Sequence, residues 1–346
     1  MKRNLLALAV GVAFVLPLAA QAAPTVYGRL NLSVDYMDMD TNVAGVDGKV
    51  WELNSNASRV GIKGNEKLTD ELTAVYKAEW EVQGDMAGGK DLDARERYIG
   101  LKHYQWGTVR LGYIDSPLKN AEDSVDVFND STRLDMSSFV TGQTRLKNSI
   151  NYVSPKFLDV FGANITLQPG EKAANVNEDH IADGISAAFS YEDDSLYLSF
   201  AMDKEITTSL PSQVTTFIGP ASQDRDAMRL NARYKMNELT LSAMFQQSEM
   251  TTAPVGTKLD EQAVVVSASY DMDKLTFRGE VGMNNFDAGT GFEVDTTLIG
   301  LGIDYNLTQS TKAYMNLVSR KDEPSTATGF KDVDTMYLGF GMETRF

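Results

Sequence analysis

The run Val26-Tyr27-Gly28-Arg29-Leu30-Asn31-Leu32-Ser33-Val34-Asp35-Tyr36 decides the architecture. Successive side chains of a strand point to opposite faces, so Val26, Leu30, Leu32, Val34 and Tyr36 share one face with Gly28. Tyr27, Arg29, Asn31, Ser33 and Asp35 share the other. The pattern recurs along the chain. Met228, Leu230, Ala232, Tyr234 and Met236 alternate with Arg229, Asn231, Arg233 and Lys235. Two arginines and a lysine on one face of one strand need water, which a soluble sandwich offers outside and a membrane barrel offers in its lumen.

Connection lengths separate those two cases. Short polar turns are read at 192–194, 236–238, 271–274 and 306–309, and they alternate with long loops over 38–48, 169–181, 203–225, 249–260, 284–293 and 321–332. Short turns at one end and long loops at the other mark an outer-membrane barrel. An aromatic closes successive strands before each turn: Tyr152, Tyr191, Tyr234, Tyr270 and Tyr305, with Phe346 last. The period is roughly forty residues, which is two strands with a turn and a loop, and the rings read as half of an aromatic girdle. No segment of helical period competes. The expected fold is all-β, a transmembrane antiparallel β-barrel of about sixteen strands. Closure satisfies every backbone N–H and C=O in lipid.

Lys2 and Arg3 precede an apolar run from Leu5 to Leu18 that leads into Ala20-Gln21-Ala22. The run is about fourteen residues, shorter than the roughly twenty of a spanning helix, and reads as a secretory signal with an Ala-x-Ala site. Residues 1–22 are therefore expected to be a signal peptide and 23–346 one barrel domain, since no linker divides the chain. The net charge is −16, and −18 without Lys2 and Arg3, which argues against nucleic acid as a partner. There is no cysteine, so neither a disulfide nor a thiolate metal site exists.

Several segments resemble the general, non-specific bacterial porins, and the resemblance covers nearly all of 23–346. Val26-Tyr27-Gly28-Arg29-Leu30 is similar to that family's first strand and Ser58-Arg59-Val60-Gly61-Ile62-Lys63-Gly64-Asn65-Glu66 to its second. Arg95 with Tyr98-Ile99-Gly100-Leu101 resembles the fourth, and Gly107-Thr108-Val109-Arg110-Leu111-Gly112 the fifth. In the family the fifth strand feeds a long third loop folded into the pore; here 115–143 is the longest stretch without alternation. Arg145 to Pro155 resembles the strand that follows. Phe346 ends a last strand in which Met336, Leu338, Phe340, Met342 and Thr344 share its face, similar to the aromatic strand that the barrel-assembly machinery reads in porins.

The resemblance implies a homotrimer in the cell outer membrane and passive diffusion of small hydrophilic solutes and ions; the acidity of the chain adds lipopolysaccharide as an expected partner beside lipid, through divalent cations shared between loop carboxylates and its phosphates. It also implies a pore constriction. Carried over by position, the basic ladder is Arg29, Arg59, Arg95 and Arg145. The family's Pro-Glu-Phe-Gly-Gly loop motif is absent, so the facing acids Asp123, Asp126, Asp130 and Asp135 are candidates by position alone. Strict alternation also puts Ile99 and Leu101 on the face of Arg95 and Arg97. A bulge would shift the phase, and a wall facing a neighbouring subunit would relax the rule.

No catalytic, cofactor or metal site is expected. Only His103 and His180 are present, which removes most routes to nucleophilic or metal-assisted chemistry. Asp38, Asp40 and Asn42 open like a calcium loop, but Val43 and Lys49 stand where glycine and glutamate are needed. Gly300 and Gly302 lie within a strand and read as small residues where side chains crowd. Two alternatives stay open: a substrate-specific outer-membrane channel, and a barrel acting in adhesion through its loops.

Overall fold

The structure, a computed structural model, describes residues 23–41, 48–86, 92–122, 125–131, 134–171, 180–211, 214–215, 222–250, 259–289, 291–325 and 331–346. The expected signal peptide, residues 1–22, lies outside them. The strands are β1 Thr25–Asp40, β2 Gly48–Ser55, β3 Arg59–Lys67, β4 Leu72–Val82, β5 Leu92–His103, β6 Gly107–Asp115, β7 Arg145–Val153, β8 Phe161–Gln168 and β9 Gly184–Glu192. They continue as β10 Leu196–Ser209, β11 Ser222–Met236, β12 Leu239–Met250, β13 Asp260–Met272, β14 Leu275–Asp287, β15 Glu293–Asn306, β16 Thr311–Pro324 and β17 Val333–Arg345. A single turn of helix, α1 Pro117–Asn120, and a 3₁₀ turn, Met136–Ser138, lie between β6 and β7.

All pairings are antiparallel, and the sheet closes where β17 pairs with β1 from Arg29↔Arg345 to Asp40↔Asp334. Closure gives β1 and β17, the first and last strands, a partner on both sides. β2 and β3 together make one stave: Leu32 to Met39 of β1 pair with β2, and Thr25 to Arg29 pair with β3. The seventeen strands thus make a barrel of sixteen staves, the extra strand arising because one stave is broken in two. The break is a bulge in which 56–58 face only Leu30 and Asn31, with Ala57 at a φ of 49°. Ser58 holds the gap, its Oγ accepting from the Asn31 amide at 2.9 Å.

The period-two faces fall as the sequence pattern requires. Val26, Leu30 and Val34 are exposed on the outer face, while Arg29, Asn31, Ser33 and Asp35 are buried inside. In β11, Met228, Leu230, Tyr234 and Met236 are exposed and Arg229 is completely buried. Tyr152, Tyr234, Tyr270 and Tyr305 project outward before their turns, as an aromatic girdle does. No helix among the described residues is long and apolar enough to cross a membrane, so the crossing is made by strands.

The anomaly in β5 has a local cause. Register runs Ala78↔Arg97 but Trp80↔Ala94, so Arg95 and Glu96 together face Glu79. That bulge reverses the phase. Arg95 and Glu96 point inward, whereas Arg97, Ile99 and Leu101 point outward, with Arg97 stacked 5.5 Å from the centre of the Trp80 ring.

The ladder between β1 and β17 ends in two backbone bonds: Gly28 N–H donates to Phe346 at 2.9 Å and Phe346 N–H to Gly28 at 3.1 Å. A Cβ on residue 28 would stand 2.4 Å from the Phe346 ring, so only glycine admits the ring there. Phe346→Ala keeps the backbone pair and loses the ring. It is expected to lower the yield of heat-modifiable barrel in the outer membrane by several-fold, and Gly28→Val to do the same. Gel mobility of unheated against heated membranes reads both; normal yield in both variants would show that the seat does not matter.

Candidate functional site: the waist of the barrel

The segment between β6 and β7 is held along one inner wall through its own backbone. Ser116 caps α1, and Pro117 at the first helical position leaves no orphan N–H there. Side chains of the wall then take the carbonyls in turn. Tyr197 and Ser199 donate to Ala121 O, Ser267 donates to Val125 O at 2.6 Å, and Arg278 to Val127 O at 2.7 Å. Asn284 donates to Phe139 O at 2.6 Å, and Arg229 and Gln246 both donate to Thr141 O at 3.1 Å. A segment without regular structure needs such donors, since a buried orphan carbonyl costs about 1–3 kcal/mol.

Two aromatics key the segment into β14 and β15. A Cβ at Gly300 or Gly302 would meet Phe128 at 2.8 or 2.7 Å, and one at Gly282 would meet Phe139 at 2.8 Å. Gly300 and Gly302 are thus small where side chains crowd. Phe128 and Phe139 join Leu134, Met136, Ala263, Val265 and Leu298 in one apolar cluster. The cluster explains why β13 is apolar on both faces: Val264 and Val266 are exposed outward, while Ala263 and Val265 are fully covered within. Arg229, also fully buried, pairs with Glu122 at 3.0 Å.

The far side of the same segment meets three other strands. Asp130, at a φ of 63°, brings one carboxylate oxygen to 2.8 Å from Arg29 and 3.0 Å from Arg59; its other oxygen stands 3.9 Å from Arg95. Behind them Glu343 reaches Arg29 at 3.3 Å, and Glu79 and Glu81 reach Arg95 at 2.7 and 3.0 Å. Burial raises the Asp130 pKa, but the charges of Arg59, Arg29 and Arg95 outweigh it and hold the carboxyl below its ordinary value. Beside this cluster a cavity of about 230 Å³ is lined by Arg59, Arg95, Asp115, Lys119, Glu122 and Asp130.

Of the eight positions read from sequence, four therefore meet: Arg29, Arg59, Arg95 and Asp130. Arg145 pairs instead with Asp115 at 2.7 Å, beside the same cavity. Asp126 is buried and accepts from the amides of Phe128 at 3.0 Å and Met136 at 2.8 Å. Asp135 accepts from the amides of Asp130 at 2.7 Å and Ser137 at 2.8 Å. Both act on the fold of the segment. Asp123 lies outside the described residues. Sequence reading missed Glu122, Asp115, Glu79 and Glu343, because an acid acquires meaning only from the guanidinium that the closed barrel sets beside it. The glycines opposite Phe128 and Phe139 were the legible part of the seat. His103 serves a turn, accepting from the amides of Gln105 and Trp106 at 3.1 and 3.3 Å.

A closed sheet with an apolar outer face and an inner face of ion pairs around open cavities defines a membrane-spanning channel barrel. The chain belongs to the Gram-negative porins, a family that matches it over residues 7–323. It is 29% identical over 299 residues to the major outer membrane protein P.IB of Neisseria sicca, covering 80% of each chain. It is 26% identical to outer membrane porin protein 32 of Delftia acidovorans, with 96% of this chain and 93% of that one covered. Among solved structures, the anion-selective porin from Comamonas acidovorans superposes with a TM-score of 0.75 at 21% identity, covering 94% of this chain and 99% of that one, a likeness of fold. The protein is an outer-membrane porin: its barrel forms a water-filled channel for passive diffusion of small hydrophilic solutes and ions. The family and these relatives are channels and not enzymes.

Two variants test the seating. Gly300→Val overpacks the Phe128 seat, at a cost of about 1–3 kcal/mol, so amide exchange over 125–140 should accelerate while the barrel stays heat-modifiable. Asp130→Asn strips the shared anion from three guanidiniums and should open the same segment by about 1–3 kcal/mol, less than a fully buried pair because water reaches the site. Since the Asp130 pKa is lowered, its contribution is complete above the ordinary carboxylate range and lost as pH falls through the lowered value. Protection of the segment, taken as exchange relative to the intrinsic rate at each pH, should therefore weaken in the wild type only once pH falls below the ordinary carboxylate range. Unchanged exchange in Asp130→Asn would mean that the three ion pairs do not hold the segment.

Proposed function

We propose that the segment 115–143 forms the constriction of this porin, its Asp130 closing onto Arg29, Arg59 and Arg95 of the barrel wall. One observation carries the reading: a single carboxylate, on a segment anchored to β9–β16, reaches guanidiniums from β1, β3 and β5. Arg145 with Asp115 adds a second rung. The charges that rim the adjoining cavities orient the water there and disfavour apolar solutes. In a partly screened lumen a contact pair is worth about 1–4 kcal/mol, enough to bias ions without stopping them. Asp126 and Asp135 shape the constriction by fixing the backbone on which Asp130 sits.

Residues 1–22 act as the export signal in this reading, 23–346 are the one barrel domain, and Phe346 is the assembly signal. The barrel carries out no catalysis. It works as a homotrimer set in lipid and lipopolysaccharide, and the wall of β4 and β5 supports that assembly. Arg97 is exposed there on the outer face, next to the small side chains of Ala78 and Ala94. An arginine facing hydrocarbon costs about 2–4 kcal/mol at the midplane, whereas a protein neighbour supplies partners.

Arg59→Gln removes one positive charge from the waist. It should move the reversal potential across a tenfold salt gradient toward cations, by on the order of a twofold change in permeability ratio at low ionic strength and less at about 1 M, where the Debye length is about 3 Å. An unchanged potential at low salt, with the folded trimer intact, would make Arg59 a scaffold residue and place the waist elsewhere.

A further inference from the structure

The inner wall is polarised along the pore axis. Toward the short-turn ends, the strands place Lys63, Lys77, Lys102, Arg110, Lys235 and Lys312 on the inner face. The register confirms the side: Lys63 pairs with Lys77, Gly100 with Arg110, and Lys102 with Thr108. Tyr27, whose ring lies under Lys63 and Lys77, donates to the inward Glu79. Arg110 donates to the buried Asn151, and Lys312 to the buried Asp304. The cavity of about 400 Å³ next to the waist on this side is lined by Arg29, Arg59, Lys77, Arg95 and Arg345 against Glu79, Glu96 and Asp115.

Toward the long-loop ends the same face turns acidic. Asp35 stands opposite Glu52 across β1 and β2, and Glu81 opposite Asp93 across β4 and β5. Asp322 lies on the inner face of β16, where Arg320 pairs with it at 3.0 Å. On the inner wall of the turn side Glu192, Asp304 and Glu343 are each paired with a cation, and the turns add carboxylates at the other lip, among them Asp70, Asp193 and Asp194. The latter face open solution, where counter-ions screen them within about 10 Å at 0.1 M. Wall charges inside a low-dielectric tube are screened far less.

We propose that this wall makes the open channel a rectifier, with a basic zone on the turn side of the waist and an acidic zone on the loop side. Mobile anions gather in the first and mobile cations in the second. With the loop side positive, cations move from the acidic zone and anions from the basic zone toward the waist, which fills with carriers. With the loop side negative both are drawn away and the waist is depleted. The current is larger when the loop side is positive. Solute anions meet a collecting basin on the turn side only, so the barrel treats the two directions of anion flow unequally under a membrane potential. The inference rests on the channel reading of the barrel.

The test is the current–voltage curve of the full-length channel in a planar bilayer in KCl. The chain lacks cysteine, so Ser209→Cys at the loop end of β10, carrying biotin, reports orientation through one-sided addition of streptavidin. In about 0.05 M KCl the current with the loop side positive should exceed the opposite current by on the order of 1.5-fold, and the ratio should approach one at about 1 M, where the Debye length is about 3 Å. Lys63→Glu, Lys102→Glu and Lys235→Glu together reverse exposed charges in the basic zone and should abolish or invert the asymmetry. Glu52→Gln with Asp93→Asn should weaken it from the other end and serves where the triple variant does not fold. A symmetric curve at low salt, the opposite sign, or asymmetry untouched by either set overturns the proposal. An absence of any conductance would instead sink the channel reading.

Discussion

A strand that crosses lipid must pair each of its backbone N–H and C=O groups within the protein, because an orphaned group there costs several kcal/mol. The requirement makes the sheet close on itself, and the β1–β17 ladder is where it does so. It also limits where irregularity is tolerated. The break between β2 and β3 keeps β1 paired along both halves and fills the gap with Ser58, and the β5 bulge leaves pairing intact on either side of Glu79. Each bulge also re-aims an arginine: Arg59 begins the strand after the first, and Arg95 sits within the second. Interruptions of the outer wall thus set where Arg59 and Arg95 meet Asp130 within.

Closure fixes the inner face as well. Side chains that alternate inward have no solvent sandwich to escape into and must meet either water or other protein groups. On the wall from β9 to β16 they meet the segment that follows β6, and its irregular backbone is satisfied by Tyr197, Ser199, Ser267, Arg278 and Asn284. On the wall of β1, β3 and β5 the same segment presents a charge. Its two sides do different work: the anchored side is apolar and hydrogen-bonded, with Phe128 and Phe139 in glycine seats, while the free side carries Asp130. A tip that has to hold a carboxylate within 3.0 Å of two guanidiniums needs a rigid base, and the glycine seats supply it.

Charges in the barrel sort by level. Those near the waist are paired across strands or across the segment, as Arg95 with Glu79 and Arg145 with Asp115. Those toward the turns are mostly basic, and those toward the loops mostly acidic. A net charge of −16 therefore says little about what an ion meets inside, because composition does not record the level of a charge or the side of the wall it occupies.

The period of two was written in the sequence, and with it came the faces, the turns, the girdle tyrosines and the arginines Arg29 and Arg59 on an inner wall. Those features follow from local geometry: consecutive strand residues point to opposite sides wherever they occur. The β5 anomaly was visible as a conflict between Arg95 and Ile99, yet only the register with β4 located its bulge. Asp130 could not be told from Asp126 or Asp135 within its segment, since three aspartates a few residues apart carry the same local signal. Which of them reaches the guanidiniums, and which brace the backbone, depends on how Phe128 and Phe139 seat on glycines more than 140 residues away in the chain. The sequence alone determined that this chain forms a barrel with a charged interior. The closed tertiary structure decided which charges meet, because contacts inside the barrel join residues whose separation along the chain carries no periodicity.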